Sequence, residues 1–143
     1  MTVAAILAEK GRDVRTTSST ASVAEAIDLL SRHRIGALVV VDGARRITGI
    51  VSERDIVHAL ARGGADALAT EVGSIMTRAV ITCAEGETVN DVMTRMTRGR
   101  FRHLPVVAGG RLAGIISIGD VVKARIEQVE REAEEMRAYI ATA

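Results

Sequence analysis

The chain has 143 residues, 48% of them apolar, a formal net charge of +1, one Phe, one Tyr and no Trp. That length makes one compact unit with a core of Val, Ile, Leu, Ala and Met, and the small net charge gives no field to draw nucleic acid or anionic lipid. Cys83 stands alone, which excludes an intramolecular disulfide and a cysteine metal cluster, and no apolar run reaches the ~20 residues of a membrane helix.

The opening "MTVAAILAEKG" predicts a short helix capped by Thr2, with Val3, Ile6 and Leu7 facing inward. Its apolar stretch is too short for a secretory signal and has no basic lead. With the lone cysteine, this leads to the expectation of a soluble, cytoplasmic protein. "DVRTT" then reads as a short extended piece. In "SVAEAIDLLSRH", Val23, Ala26, Ile27 and Leu30 share one helix face, behind a Ser22–Glu25 capping-box spacing. "ALVVVD" is a β-branched run of the kind buried on both faces. A turn rich in Gly and Arg leads to a second strand, "ITGIVS", and a helix opens at Ser52.

Residues 64–78 form a connector, Gly/Ala-rich at first and then amphipathic at Val72, Ile75 and Met76. The earlier order then returns. "AVITC" is extended, and "TVNDVMTRMTRG" puts Val89, Val92, Met93 and Met96 on one helix face behind Thr88 and Asp91. "HLPVV" and "LAGIIS" are strands, and a last helix opens at Ser117.

The return is a duplication. A slip of 66 aligns Val14–Val41 with Val80–Val107, pairing Val14/Val80, Thr16/Thr82, Arg32/Arg98, Arg34/Arg100 and Leu38/Leu104 as identities. One residue is lost in the turn. At a slip of 65, Gly49/Gly114, Ile50/Ile115, Ser52/Ser117, Asp55/Asp120 and Val57/Val122 match. The chain divides into an N-terminal helix with the first repeat (1–63), the connector (64–78), and the second repeat with an extended C-terminal helix (79–143).

Two strand–helix–strand–strand–helix copies, written "GIVSERD" and "GIISIGD" where the last helix begins, resemble a pair of cystathionine β-synthase (CBS) domains, the Bateman module. The likeness covers essentially the whole chain. It implies an α/β (α+β) fold of two β-α-β-β-α repeats related by a pseudo-two-fold axis, with sheets packed face to face and a long C-terminal helix. It also implies clefts between the copies that hold adenosyl ligands such as AMP, ATP, NAD or S-adenosylmethionine.

The repeated Ser-x-x-Asp has two readings. It is a capping pattern, the serine oxygen accepting a first-turn N–H and the acid favouring the positive helix end. It is also suited to a nucleotide. A carboxylate only accepts hydrogen bonds, so Asp55 or Asp120 can take both hydroxyls of a ribose diol. Helix-start N–H groups beside Ser52 or Ser117 suit a phosphate.

By resemblance, Thr16 and Thr82 match the position that meets purine or ribose, with β-propensity as their other reading. Ala21 is assigned to the ligand site on the same basis. Gly36 and Ala37 match the small residues where a base nears the backbone. The second copy departs there, with Arg102 and His103. "RGRFRHLPV" is either a solvated basic face or an anion-holding wall led by Arg102. Arg54 adds a charge near the first helix start, where the second copy has Gly119. The two sites are therefore expected to differ in affinity, the second binding weakly or staying empty.

Three scattered histidines and an unassisted cysteine assemble no metal site and no nucleophile–base pair, so no enzyme is expected and no cofactor is required. In the last helix Val122, Ile126, Val129, Ala133, Met136 and Ile140 step by 4, 3, 4, 3, 4, a heptad seam. It folds onto its own domain or meets the same helix of a second chain, and family likeness favours a homodimer. The resulting expectation is a regulatory module that binds an adenosyl nucleotide and signals occupancy to an unidentified protein. The alternative is a constitutive dimeric scaffold with vestigial clefts. Nucleic-acid binding is disfavoured by the charge and the lack of aromatics to stack bases.

Overall fold

The computed structural model describes residues 1–142. Its elements, in order, are α1 (Val3–Lys10), β1 (Thr16–Thr17), α2 (Val23–His33), β2 (Ala37–Val41), β3 (Ile47–Ser52) and α3 (Glu53–Gly63). Two 3-10 turns, Gly64–Ala69 and Val72–Ser74, make the connector. Then come α4 (Val89–Gly99), β4 (His103–Ala108), β5 (Arg111–Ser117) and α5 (Ile118–Thr142).

In the first sheet β1 runs parallel to β2, and β2 antiparallel to β3. The second sheet is the β4–β5 hairpin. The piece predicted from "AVITC" contracts to one parallel bridge, Cys83 to Val106. Register shifts fall at Val40/Val41 and Val106/Val107, the same point of each copy. Ala37 pairs with Ser52, and His103 with Ser117. Each copy therefore sets the first residue of this strand beside its helix-opening serine.

Helices α2 and α4 start on side-chain caps. Ser22 and Glu25 close a reciprocal capping box, and the Thr88 hydroxyl accepts from Asp91 N–H at 3.2 Å. Both stop at an arginine in the left-handed region, Arg34 (φ 54°) and Arg100 (φ 55°). Thr2, by contrast, makes no side-chain cap on α1. The first amides of α1 donate instead to carbonyls of the second repeat, Val3 to Glu87 O and Ala4 to Glu85 O, both at 2.9 Å. A helix whose end amides already have backbone partners has no need of a hydroxyl cap.

Each repeat has its own aliphatic core, and each core borrows a neighbouring segment. Val23, Ala26, Leu30, Leu38, Val40, Val51 and Ile56 pack with Val72 and Met76 of the connector. Val89, Val92, Met96, Leu104, Val106, Ile116 and Val121 pack with Val3, Ile6 and Leu7 of α1. The N-terminal helix, next to the first repeat along the chain, thus sits on the second.

Alternate residues of a strand face opposite sides of a sheet. Leu38 and Val40 face the first core, yet Val39 between them is also fully buried, so the other face is covered too. The two repeats meet beside this sheet. Leu112 N–H donates to Arg45 O at 3.1 Å, and the His103 ring lies against Gly36.

Along α5 the home-facing positions are Val121 and Ala124, both buried. The heptad seam is offset from them: Val122, Ile126, Val129, Met136 and Ile140 are exposed, from 42% to 66%. Of the two partners expected for the seam, its own domain is therefore ruled out. Among the described residues, no helix is long and apolar enough to cross a membrane.

Candidate functional site

A cleft of about 600 Å³ opens between the repeats. From the first repeat it is lined by Gly36, Ala37, Ile50, Ser52, Glu53, Arg54 and Asp55, and from the second by Arg100, Phe101, Arg102, His103 and Pro105. The segment Thr77–Ile81 supplies Thr77, Ala79, Val80 and Ile81. Local structure explains the gathering. The β2–β3 register delivers Ala37 beside Ser52, α3 begins there, and the left-handed turn at Arg100 swings the basic stretch into β4.

Ser52 and Asp55 realise the capping reading fully. The Ser52 hydroxyl accepts from Asp55 N–H at 3.3 Å, while Asp55 Oδ2 accepts from Ser52 N–H at 2.9 Å and from the Ser52 hydroxyl at 3.1 Å. Among the described residues these bonds use Oδ2 alone. Asp55 lines the cleft, and its Oδ1 keeps its lone pairs for another donor. Capping and ligand holding are therefore compatible roles for one carboxylate.

Three guanidinium groups (Arg54, Arg100, Arg102) and two carboxylates (Glu53, Asp55) line the cleft. Among the described residues no polar or charged residue is buried, these five included. His103 lies at the junction. Burial holds its imidazole below the ordinary range, Lys10 and Arg102 push the same way, and Glu53 and Asp120 oppose them. Its ring is therefore mostly neutral at pH 7.

The second copy is built alike but furnished differently. Asp120 Oδ2 accepts from Ser117 N–H at 2.9 Å, and Asp120 N–H donates to the Ser117 hydroxyl at 3.1 Å. Asp120 also receives Lys10 Nζ at 2.5 Å. Burial pushes this carboxyl up, but the hydrogen bonds from Lys10 and Ser117 and the ammonium charge outweigh it, leaving the carboxyl below the usual range. The hollow remaining beside it, between α1 and α5, has about 200 Å³.

Of the residues named from sequence, the first cleft brings together Gly36, Ala37, Ser52, Arg54, Asp55, Arg102 and His103. Thr16 pairs with Val39 in the sheet, and Ala21 O accepts from Val72 N–H at 2.8 Å beside the first core. Thr82 O accepts from Arg95 at 2.9 Å. None of these three lines the cleft, and Ser117 and Asp120 belong to the second copy's helix start. Sequence reasoning passed over Glu53, Ile50, Pro105, Phe101 and the Thr77–Ile81 segment. Phe101 had a signal, being the only Phe of an aliphatic chain and set within the arginine cluster. Among the described residues no group of three His, Cys, Asp or Glu could hold a metal ion.

A family model, that of the CBS domain, matches residues 8–62 and again 72–127. Solved structures superpose over most of the chain. A CBS-domain-containing protein of Agrobacterium tumefaciens is 50% identical, with a TM-score of 0.84 over 87% of this chain and 99% of its own. The CBS domain pair of protein MJ0100, in complex with 5′-methylthioadenosine and S-adenosyl-L-methionine, is 31% identical, with a TM-score of 0.79 over 90% of this chain and 98% of its own. CBSX2 in complex with AMP is 27% identical, with a TM-score of 0.72 over 82% and 90%.

Proposed function

Since the chain belongs to the CBS-domain family and carries two copies of the domain, we propose that it is a non-catalytic regulatory module that binds an adenosyl nucleotide between its repeats and transmits occupancy by conformational change. The observation that carries this reading is the cleft itself. One space of about 600 Å³ joins the diol-accepting Asp55 and the start of α3 to the arginines of the opposite repeat. Asp55 Oδ1 and the cap-facing Oδ2 take the two ribose hydroxyls. Gly36 and Ala37 leave the base room against the backbone. Arg102, with Arg54 and Arg100 near it, holds phosphate in paired N–H···O contacts.

The ligands bound by two relatives, AMP in one and methylthioadenosine with S-adenosylmethionine in the other, support the adenosyl class. Because the cleft walls come from different repeats, an anion drawn between Arg54 and Arg102 pulls the copies together. The resulting shift is bounded by the ligand's differential affinity for the open and closed forms.

The exposed seam of α5 supports association with a second copy of the chain, giving a homodimer whose helix pairing relays the closure. A reducing setting such as the cytoplasm suits the single buried thiol. Thermal unfolding in the presence of AMP, ATP, NAD and S-adenosylmethionine tests the assignment. A true ligand at 100 times its Kd stabilises the fold by about 2.7 kcal/mol. No shift with any of the four removes the sensing role and leaves a scaffold.

A further inference from the structure

The two copies are seated alike by different segments. A Cβ built on Gly49 would lie 2.6 Å from Met76 Sδ, and one built on Gly114 would lie 2.8 Å from Leu7 Cδ2. Met76 of the connector and Leu7 of α1 thus occupy the same place on their respective repeats. Past Met76 the chain leaves the connector's turns, and Ala79 lines the open cleft. Past Leu7 helix α1 continues to Lys10.

Lys10 turns back into the second copy. Its ammonium donates to Asp120 Oδ2 at 2.5 Å and to Ile115 O at 2.9 Å. The first copy answers both needs without a side chain from outside. Ile50 O, the counterpart of Ile115 O, accepts from the backbone N–H of Thr77 at 2.9 Å, and Asp55 Oδ2 accepts from the Ser52 hydroxyl.

The helix that delivers Lys10 is firmly held. Val3 and Leu7 are buried in the second core, two α1 amides bond to Glu85 and Glu87 carbonyls, Arg12 pairs with Glu85, and Lys123 lies 3.6 Å from Glu9. The ammonium therefore sits on Asp120 Oδ2 as an anchored part of the fold.

We infer, on the reading proposed above, that Lys10 fills the second cleft in place of a ligand and limits the chain to one bound nucleotide. An ammonium offers three donors to a carboxylate. A ribose diol arriving at Asp120 can reach Oδ1, but its second hydroxyl must displace the ammonium from Oδ2, which also strips Ile115 O of its donor. At Asp55 it displaces no charge, only the neutral Ser52 hydroxyl from Oδ2. The asymmetry between the clefts then comes chiefly from an N-terminal residue outside both Ser-x-x-Asp motifs, not from Arg102 and His103.

Calorimetric titration of the full chain with AMP tests this, using the wild type, Lys10→Ala, and Lys10→Ala combined with Asp55→Ala, each checked for folding by circular dichroism. The inference predicts one AMP for the wild type, two for Lys10→Ala and one for the double variant. Two AMP on the wild type overturn the inference but leave the proposed function standing. So does one on the wild type with none on the folded double variant, which would shift the blockade to Arg102 and His103. Weaker binding by Lys10→Ala without a change in number also overturns it, because Lys10 would then hold the ligand itself. None on the wild type but one on the double variant upholds the Lys10 block and overturns the role given to the first cleft. No binding by any of the three overturns both.

Discussion

The imidazole of His103 rests on the backbone of Gly36: a Cβ at Gly36 would stand 3.2 Å from His103 Cε1. The small residue of one copy and the bulky replacement in the other thus meet across the repeat junction, on the wall of the cleft. Gly36→Val pushes the ring aside and intrudes on the space given to the base. Overpacking of this kind costs about 1–3 kcal/mol, readable by urea denaturation. AMP affinity should fall by about tenfold or more, equivalent to about 1.4 kcal/mol. Unchanged affinity would move the base away from Gly36.

The same imidazole predicts a pH dependence. His103 is held below its ordinary value chiefly by burial, with Lys10 and Arg102 reinforcing the effect and Glu53 and Asp120 opposing it. Unfolded chains protonate a histidine near pH 6.5, so below that the unfolded state binds more protons than the native one. Stability is therefore complete above about pH 6.5 and declines as pH falls toward the native His103 value. Thermal unfolding followed from pH 8 to pH 5 should show this decline in the wild type and a shallower one in His103→Gln. Parallel curves would refute it.

Cys83 should be chemically silent in the native protein. Burial, with the Glu87 charge adding and Arg95 subtracting, pushes its thiol up to about 12 from 9.0. That leaves about a thousandfold less thiolate than an ordinary cysteine has at neutral pH. Reaction with a chromogenic disulfide at pH 8 should be slow in buffer and fast in denaturant. Fast labelling of the folded chain would contradict its placement in the second core.

The seam of α5 gives an assembly prediction. Ile126, between Val122 and Val129 on the seam, is 53% exposed. Ile126→Glu puts a charge where the proposed partner helix would bury an apolar side chain. By sedimentation the wild type should be dimeric at micromolar concentration and the variant monomeric, with little change in unfolding of the isolated chain. A monomeric wild type ends the proposal.

Much of this was legible in the chain itself, because the relevant physics is local. The duplicated apolar spacing marked α2 and α4, the Ser22 and Thr88 caps marked their starts, and the "GIVS" and "GIIS" strings marked where Asp55 and Asp120 would begin helices. What stayed hidden depends on contacts between distant segments. "AVITC" has strand composition, but whether it forms a ladder rests on how far it can pair with β4, and it keeps one bridge. Thr2 sits where a cap belongs, yet Glu85 and Glu87 carbonyls had already taken the amides. Nothing in "LAEKG" announces that Lys10 will meet Asp120, more than a hundred residues away, because that follows from α1 crossing onto the second repeat.

The measurement that bears most directly on the central claim is the affinity of AMP for Asp55→Asn beside the wild type. Asparagine keeps an oxygen to accept from Ser52 N–H, so the cap and the fold survive, while the charge and one acceptor for the sugar are lost. The expected result is micromolar-range binding by the wild type and a loss of about tenfold to a hundredfold in the variant, in keeping with about 1.5–3 kcal/mol for hydrogen bonds to a charged group. Equal affinities in the two proteins, at equal stability, would contradict the assignment of Asp55 to the sugar and with it the nucleotide site.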